Sequence, residues 1–334
     1  MSKKIKFGYR AVAEQYQGRQ LVNFTVEAEK QGFEFVTVSD HIHPWFHTGG
    51  NAVFAWTWMA SAAERTSKIR IGTGVTTPIN RYHPAIVAQA FATLESMYPG
   101  RIFLGLGTGE AMNEVPVGRN WPPFQERAEK IEESMKIIRM LCKGGFNTFN
   151  GKHFNITDAH LYILPLQKFP IYIAASGPTM SEMAGRYADG LYTTPSKEEF
   201  YNDILFPNLR KGAQKVGRSE KDLDLMTLCN IAYDEDYDRA FNSIRMWKAV
   251  ALGFHKPIWD PRKLDEMAEN VDMKDVTWRW KITTNLDETI NWIESYIKRG
   301  FNEIEIRSAS PDEMSFIKKF GSQVLSYLND KYGR

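Results

Sequence analysis

An acid, an imidazole and an indole fall within one short run, Asp40-His41-Ile42-His43-Pro44-Trp45. Such a set can move a proton and cover a flat ring. As an ordinary loop, the same run needs only Asp40 as a cap and His41 as a hydrogen-bonded packing group. A second run, Gly105-Leu106-Gly107-Thr108-Gly109-Glu110, alternates glycines and ends on a carboxyl. Glycines let backbone approach a planar or anionic ligand closely, and they equally make a plain turn. The run is not the GxGxxG dinucleotide fingerprint, because Glu110 stands where the last glycine belongs. Gly72-Thr73-Gly74-Val75-Thr76-Thr77-Pro78 offers hydroxyls for the edge of a heterocycle, or a glycine turn. Ala175-Ser176-Gly177-Pro178 leads into a helix whose first amides suit a phosphate, unless Ser176 is merely its cap. Three cations, Lys197, Lys256 and Arg279, lie far apart, and each alone reads as a solvated charge. Arg279 stands between Trp278 and Trp280, and guanidinium stacks on indole.

The elements that must position these runs alternate in type. Strand-like segments are predicted at Ile5–Tyr9, Phe35–Val38, Ile69–Gly72, Arg101–Gly105, Pro170–Ala174, Leu191–Thr193, Asp224–Ala232 and Glu303–Arg307. Helical periodicity falls between them, at about Gln20–Lys30, Phe54–Arg65, Pro84–Met97, Phe124–Leu141, Pro178–Tyr187 and Glu199–Val216, with a terminal helix to about Asp330. Pro84 suits the first turn of its helix, and 144–165 reads as irregular. About eight strand–helix units, with no repeat or linker dividing them, predict an α/β chain folded as one (β/α)₈ barrel domain over 1–334. Reactive groups then belong just after strand ends, and all four runs fall there.

Composition removes several alternatives. With 42 basic and 40 acidic residues among 334, the net charge of +2 offers no electrostatic footprint for nucleic acid. A chain that is 43% hydrophobic and this long can bury its own core without staples. Cys142 and Cys229 form no CxxC or CxxH pattern and read as buried thiols in a reducing compartment. The N-terminus carries no apolar leader, and no run approaches membrane-spanning length. A cytoplasmic protein acting on a small molecule, without membrane or nucleic-acid partners, is the expectation.

Several longer motifs then carry a resemblance over nearly the whole chain. They are Gly8-Tyr9 through Glu14-Gln15, Val38-Ser39-Asp40-His41 with Pro44-Trp45, Asn80-Arg81-Tyr82 through Thr93, Tyr98-Pro99, and Gly107-Thr108-Gly109-Glu110-Ala111-Met112-Asn113-Glu114. In this order they resemble the coenzyme F420-dependent branch of the luciferase-like family. The resemblance implies that Asp40, Thr73, Gly74, Val75, Thr76, Gly107, Thr108 and Asn113 hold a deazaflavin, with a cis peptide at Gly74–Val75. It implies that Ala175, Ser176 and Gly177 take the cofactor's phosphate. His41, Trp45 and Glu110 would surround hydride transfer: His41 takes the hydroxyl proton, Glu110 serves the ring nitrogen, and Trp45 stabilises the reduced cofactor. Whether His41 or Glu110 is the working base stays open at this stage. Glu14 would face the substrate.

Within that branch, the sugar-phosphate dehydrogenases suggest a phosphate clamp of Thr194, Lys197, Lys256 and Arg279, and so oxidation of glucose 6-phosphate to 6-phosphogluconolactone. The secondary-alcohol dehydrogenases are nearer at His43-Pro44-Trp45 and Ala111 to Val117, and form the alternative, but they lack the cation set. An FMN-dependent monooxygenase on the same barrel is a further alternative. A metal-dependent barrel hydrolase would use His41 and His43, yet the other histidines do not follow strands five or six; no metal is expected. A binding protein without catalysis has no need of His41, Trp45 and Glu110 together. The family resemblance also implies a homodimer.

Overall fold

The computed structural model describes residues 3–253 and 257–333. Its strands are β1 (Lys6–Ala11), β2 (Phe35–Val38), β3 (Arg70–Thr73), β4 (Ile102–Leu106), β5 (Asn147–Asn150), β6 (Asn155–Ala159), β7 (Ile171–Ala174), β8 (Gly190–Thr193), β9 (Asp224–Tyr233), β10 (Trp280–Thr283) and β11 (Glu303–Ser308). Parallel pairing runs β9-β11-β1-β2-β3-β4-β7-β8, and β8 pairs back onto β9 to close the ring. This is the α/β barrel of eight parallel strands that the alternation predicts. The strands keep apolar side chains outward for the helices: Val36 and Val38 on β2, Ile304 and Ile306 on β11, are all fully buried.

Helices begin where local chemistry starts them. In α1 (Gly18–Lys30), Gln17 and Gln20 form a capping box. α2 spans Ala55–Glu64. In α3 (Pro84–Met97), Pro84 occupies the first turn and the His83 side chain accepts from the Ala85 amide at 3.2 Å. A short α4 (Ala111–Glu114) follows β4, before α5 (Phe124–Leu141). α6 (Pro178–Tyr187) starts on Gly177 and Pro178, directly after β7.

Among the strands, the structure departs from the sequence reading in two places. The stretch expected to be irregular contains an antiparallel hairpin, β5 with β6. Its residues are mostly polar and half-exposed, so they lack the apolar alternation that marks a strand. The second is β10, which was not predicted. β9 outruns β8: the β8 register ends at Thr227, and β10 takes the vacated edge from Asn230 to Tyr233. A ninth strand therefore extends one side of the barrel mouth, with Trp280 at its start.

The barrel interior is layered. At the N-terminal end, Glu303 Oε1 receives Lys6 Nζ and Arg70 Nη1, each at 2.9 Å. Next comes an apolar layer of Phe35, Phe103, Tyr172, Tyr192 and Met226. Rings this large fit because the neighbouring strands carry glycine: a Cβ on Gly8 would lie 2.1 Å from the Phe35 ring, and one on Gly72 2.3 Å from the Phe103 ring. Above it, Arg10, Thr37, Tyr192 and Glu305 form a polar layer that floors the mouth.

Gly72→Ala is expected to overpack the apolar layer and cost about 1–3 kcal/mol, read as a lower urea midpoint. An unchanged midpoint would show that Phe103 has room to move aside.

Candidate active site

At the C-terminal mouth of the barrel lies a cavity of about 190 Å³. Its walls come from strand-end loops, as expected for this architecture. Larger grooves exist outside the barrel, such as one of about 660 Å³ between α1 and α2, but its lining holds no carboxylate or imidazole. The chemistry is in the mouth.

His41 sits on the cavity wall between two carboxylates. Its Nε2 is 3.1 Å from Glu110 Oε2, and its Nδ1 is 3.4 Å from Glu14 Oε1. The Nδ1 atom is buried and not aligned for a hydrogen bond, so Nε2 carries the directed interaction. Burial alone would push the imidazolium down, but the charge and hydrogen bond of Glu110, with the charge of Glu14, overcome it, and the pKa is raised. Glu14 is buried too, which by itself would lift its carboxyl. His41, Arg10 and a 2.6 Å hydrogen bond from Ser39 Oγ hold it below the usual carboxylate range instead.

Glu110 is fixed by Asn113, whose Nδ2 donates to Glu110 Oε2 at 3.0 Å. The same Asn113 accepts the Ile42 amide at 2.9 Å through Oδ1. One carboxamide thus spaces the carboxylate and the histidine loop. Trp45 lines the cavity in an edge-on arrangement to His41, ring centroids 6.4 Å apart. His41, Trp45, Glu110 and Glu14 therefore converge as a group. His43 turns away, its Nδ1 2.9 Å from the Trp259 carbonyl oxygen, and among the described residues no three His, Cys, Asp or Glu side chains are disposed to hold a metal ion.

The residues expected to hold a cofactor divide into two sets. Gly74, Val75, Gly107, Thr108, Asn113, Ala175 and Ser176 line the cavity, and the Gly74–Val75 bond is cis. Gly177 follows Ser176 as the cap of α6. Asp40, Thr73 and Thr76 lie behind this wall. The Asp40 carboxylate is buried and takes Thr76 Oγ1 at 2.7 Å, Arg81 Nη2 at 3.0 Å and Tyr82 Oη at 3.1 Å. Thr73 Oγ1 donates to the Gly105 carbonyl at 3.1 Å. These three shape the wall rather than face the cavity.

Of the four substrate-clamp residues, three lie among the described residues. Thr194 lines the cavity. Lys197 is exposed and outside the lining. Arg279 is half-buried, stacked on Trp278 at 4.7 Å, and also outside it. Lys256 lies outside the described residues.

Among the wall residues that sequence reasoning missed are two charged ones, Arg10 and Arg307. Arg10 donates to Thr37 Oγ1 at 2.8 Å, Ser39 Oγ at 3.0 Å and the Gly74 carbonyl at 2.8 Å. A signal for both was present: in a strand whose alternate residues are apolar, the charged ones must face the barrel interior. Tyr9 and Ala11 flank Arg10, and Ile304 and Ile306 alternate with Glu305 and Arg307. Cys142 is half-buried and Cys229 buried, both as free thiols. Among the described residues, no helix is long and apolar enough to cross a membrane.

Comparison with known proteins fits this geometry. The F420-dependent glucose-6-phosphate dehydrogenase of Nakamurella multipartita is 40% identical over 336 residues, spanning 99% of this chain and 98% of the relative. The enzyme of that name from Mycolicibacterium fortuitum is 40% identical over 322 residues, 95% of this chain and 96% of its own. A solved F420-dependent secondary alcohol dehydrogenase, in complex with an F420–acetone adduct, superposes with a TM-score of 0.93 at 35% identity, covering 97% of this chain and 99% of that one. The F420-dependent tetrahydromethanopterin reductase of Methanopyrus kandleri, 23% identical with a TM-score of 0.79, shares the fold. The luciferase-like monooxygenase model matches residues 5–291. With that match and these relatives, the chain belongs to the luciferase-like family and is one of its oxidoreductases.

Proposed function

We propose that this protein is an F420-dependent dehydrogenase that oxidises a CH–OH group of a sugar 6-phosphate, glucose 6-phosphate being the first candidate. The observation that carries the reading is His41 held between Glu14 and Glu110 on the cavity wall, in a chain 40% identical to glucose-6-phosphate dehydrogenases of that cofactor class.

The cavity suits a deazaflavin. Gly74, Gly107, Ala174 and Ala175 make a wall of small residues from three adjacent strand ends. Gly107 has no room for more, since a Cβ there would lie 2.5 Å from Val75. Such a wall accepts a planar ring. Ser176 and Gly177 precede a ten-residue helix whose first amides have no side-chain cap, which suits a phosphate on the cofactor tail. When bound, the deazaflavin would take up the hydride released from the substrate carbon.

His41 then removes the hydroxyl proton. The proton goes to Nε2, and the charge of Glu14, 3.4 Å from Nδ1, stabilises the imidazolium that forms. Glu110 competes for the same nitrogen until substrate arrives, and it is the carboxyl poised to pass a proton onward. Trp45 closes one side and keeps water from the reacting carbon. Asn113 acts as a positioning residue for Glu110 and the His41 loop.

A second reading has its own support. The solved secondary alcohol dehydrogenase overlays closely, and Lys197 and Arg279 stand outside the cavity lining. We therefore pair the substrates in one assay: protein with oxidised F420 is given glucose 6-phosphate or isopropanol, and loss of the cofactor's visible absorbance is followed. Bleaching with the sugar phosphate alone is the expected result. Bleaching with isopropanol alone moves the enzyme to the alcohol dehydrogenases.

The acid–base set has its own signature. His41→Gln should lower kcat by about 10²–10⁴-fold. Because the His41 pKa is raised above the ordinary 6.5 and the base must be neutral, kcat/KM should climb with pH through an apparent pKa above that value. Glu110→Gln removes a charge that raises it, so the histidine titration, followed by NMR, should move to lower pH. A titration that stays in place would separate Glu110 from the base.

A further inference from the structure

Of the two arginines that line the mouth among the described residues, Arg10 is matched by an acid and by acceptors, and Arg307 is not. Arg10 has the Thr37 and Ser39 hydroxyls, the Gly74 carbonyl and Glu305 at 4.0 Å. Glu305, two positions before Arg307 on β11, is thereby taken, since Thr37 and Tyr192 also donate to it. Arg307 lines the same cavity with its guanidinium carbon 4.4 Å from the Trp247 ring centroid and 4.8 Å from that of Trp280. The two indoles, their own centroids 6.3 Å apart, form a corner against the cation and supply no anion. Arg307 Nε is buried without a hydrogen-bond partner, and so is the indole Nε1 of Trp247, another cavity residue. Both unpartnered atoms are donors, so the missing partner is an acceptor.

The charge balance says the same. Burial, then repulsion from Arg10, pushes the Arg307 guanidinium down to about 10, despite some support from Glu14, Tyr192 and Glu305. A cation kept there without a fixed counter-charge is destabilised until an anion arrives. Its placement is also built rather than incidental. β10 occupies the edge of β9 beyond β8 and brings Trp280 beside Asn230, the register partner of both Trp280 and Arg307. The added strand thus completes the aromatic corner.

We propose that Arg307, seated in the corner that Trp247 and Trp280 form, receives an oxyanion of the substrate, a phosphate or a carboxylate, and thereby sets the preference for anionic over neutral alcohols. The oxyanion site stands on this geometry; its part in selectivity rests on the dehydrogenase reading. The planar guanidinium recognises such groups by paired hydrogen bonds, which a lysine ammonium does not reproduce.

Two measurements separate these claims. The first needs no cofactor. In a ¹⁵N–¹H correlation spectrum of the whole protein, the arginine Nε–H signal that disappears in Arg307→Lys identifies Arg307. Titration with inorganic phosphate, and separately with acetate, should move that signal saturably. Movement with phosphate alone assigns a phosphate, movement with acetate alone a carboxylate, and no movement with either overturns the site. The second uses F420 reduction: the ratio of kcat/KM for glucose 6-phosphate over glucose should fall at least tenfold in Arg307→Gln. An unchanged ratio overturns the selectivity role even where the anion binds. If F420 is reduced with no alcohol at all, the dehydrogenase reading fails, and the spectrum still decides the anion site.

Discussion

The guanidinium of Arg10 joins the strands at the level where the barrel opens. From β1 it reaches Thr37 on β2, Ser39 just beyond it, and the Gly74 carbonyl beyond β3, with Glu305 of β11 at ion-pair distance. Each of those partners then fixes something else. Ser39 passes its own hydroxyl hydrogen to Glu14, and Glu14 faces His41. The Gly74 carbonyl belongs to the cis linkage that sets Val75 into the cavity wall. A cation buried this deeply is tolerated because its donors are matched, and removing one member of such a network costs about 3–5 kcal/mol. The position of the candidate base is therefore a consequence of the barrel's interior charge arrangement, carried outward through two hydrogen-bonded side chains.

A second network governs the other side of the mouth, with a motif residue at its centre. Asp40 immediately precedes His41, yet its carboxylate is spent on Thr76, Arg81 and Tyr82. Arg81 also donates to the Asp40 backbone carbonyl at 2.6 Å and stacks on Tyr82 at 4.4 Å. Behind it, Glu114 accepts the Arg81 amide at 2.7 Å, and burial lifts its carboxyl to about 7. Asp40 thus anchors the β2 loop to the β3 loop, and the accuracy of His41 depends on that anchor. Asn113 supplies the third tie, from α4 to the Ile42 amide. Three loops from three successive strands are held in register before any ligand binds, which is what proton transfer over hydrogen-bond distances requires.

Much of this was legible in the sequence, and the remainder has physical causes. Strand–helix alternation is a strong signal, because each barrel strand is apolar on its outer face and each helix carries one buried stripe. It located all eight barrel strands within two residues at either end. It failed at β5 and β6, where half-exposed polar residues pair only with each other, and at β10, whose four residues exist as a strand because β9 outruns β8. The loop carboxylates and His41 were visible as unusual types after strand ends. Arg10 and Arg307 were hidden inside the strands themselves, where the alternation of Ile304, Glu305, Ile306 and Arg307 passes for an ordinary strand unless one asks which face looks inward. The scattered cations show the converse limit: sequence order says nothing about whether Lys197 and Arg279, which lie outside the cavity lining, turn toward the mouth.

These two kinds of miss have one origin. A parallel barrel offers two places for a charged group, the interior of a strand and the loop after it, and they differ in what holds the charge. Loop charges such as Lys197 remain in water, so their location is cheap and their direction is weakly determined. Interior charges must be solvated by the protein, so each one that persists is either matched, as Arg10 is by Glu305 and three oxygen acceptors, or kept ready for something that arrives. Orphaned donors at the mouth are more informative than surface lysines of the right number, because burial makes their lack of a partner costly. By this reasoning the polarity of the site is set from below, by residues on the strands, and the loops add the imidazole and carboxylates at its wall.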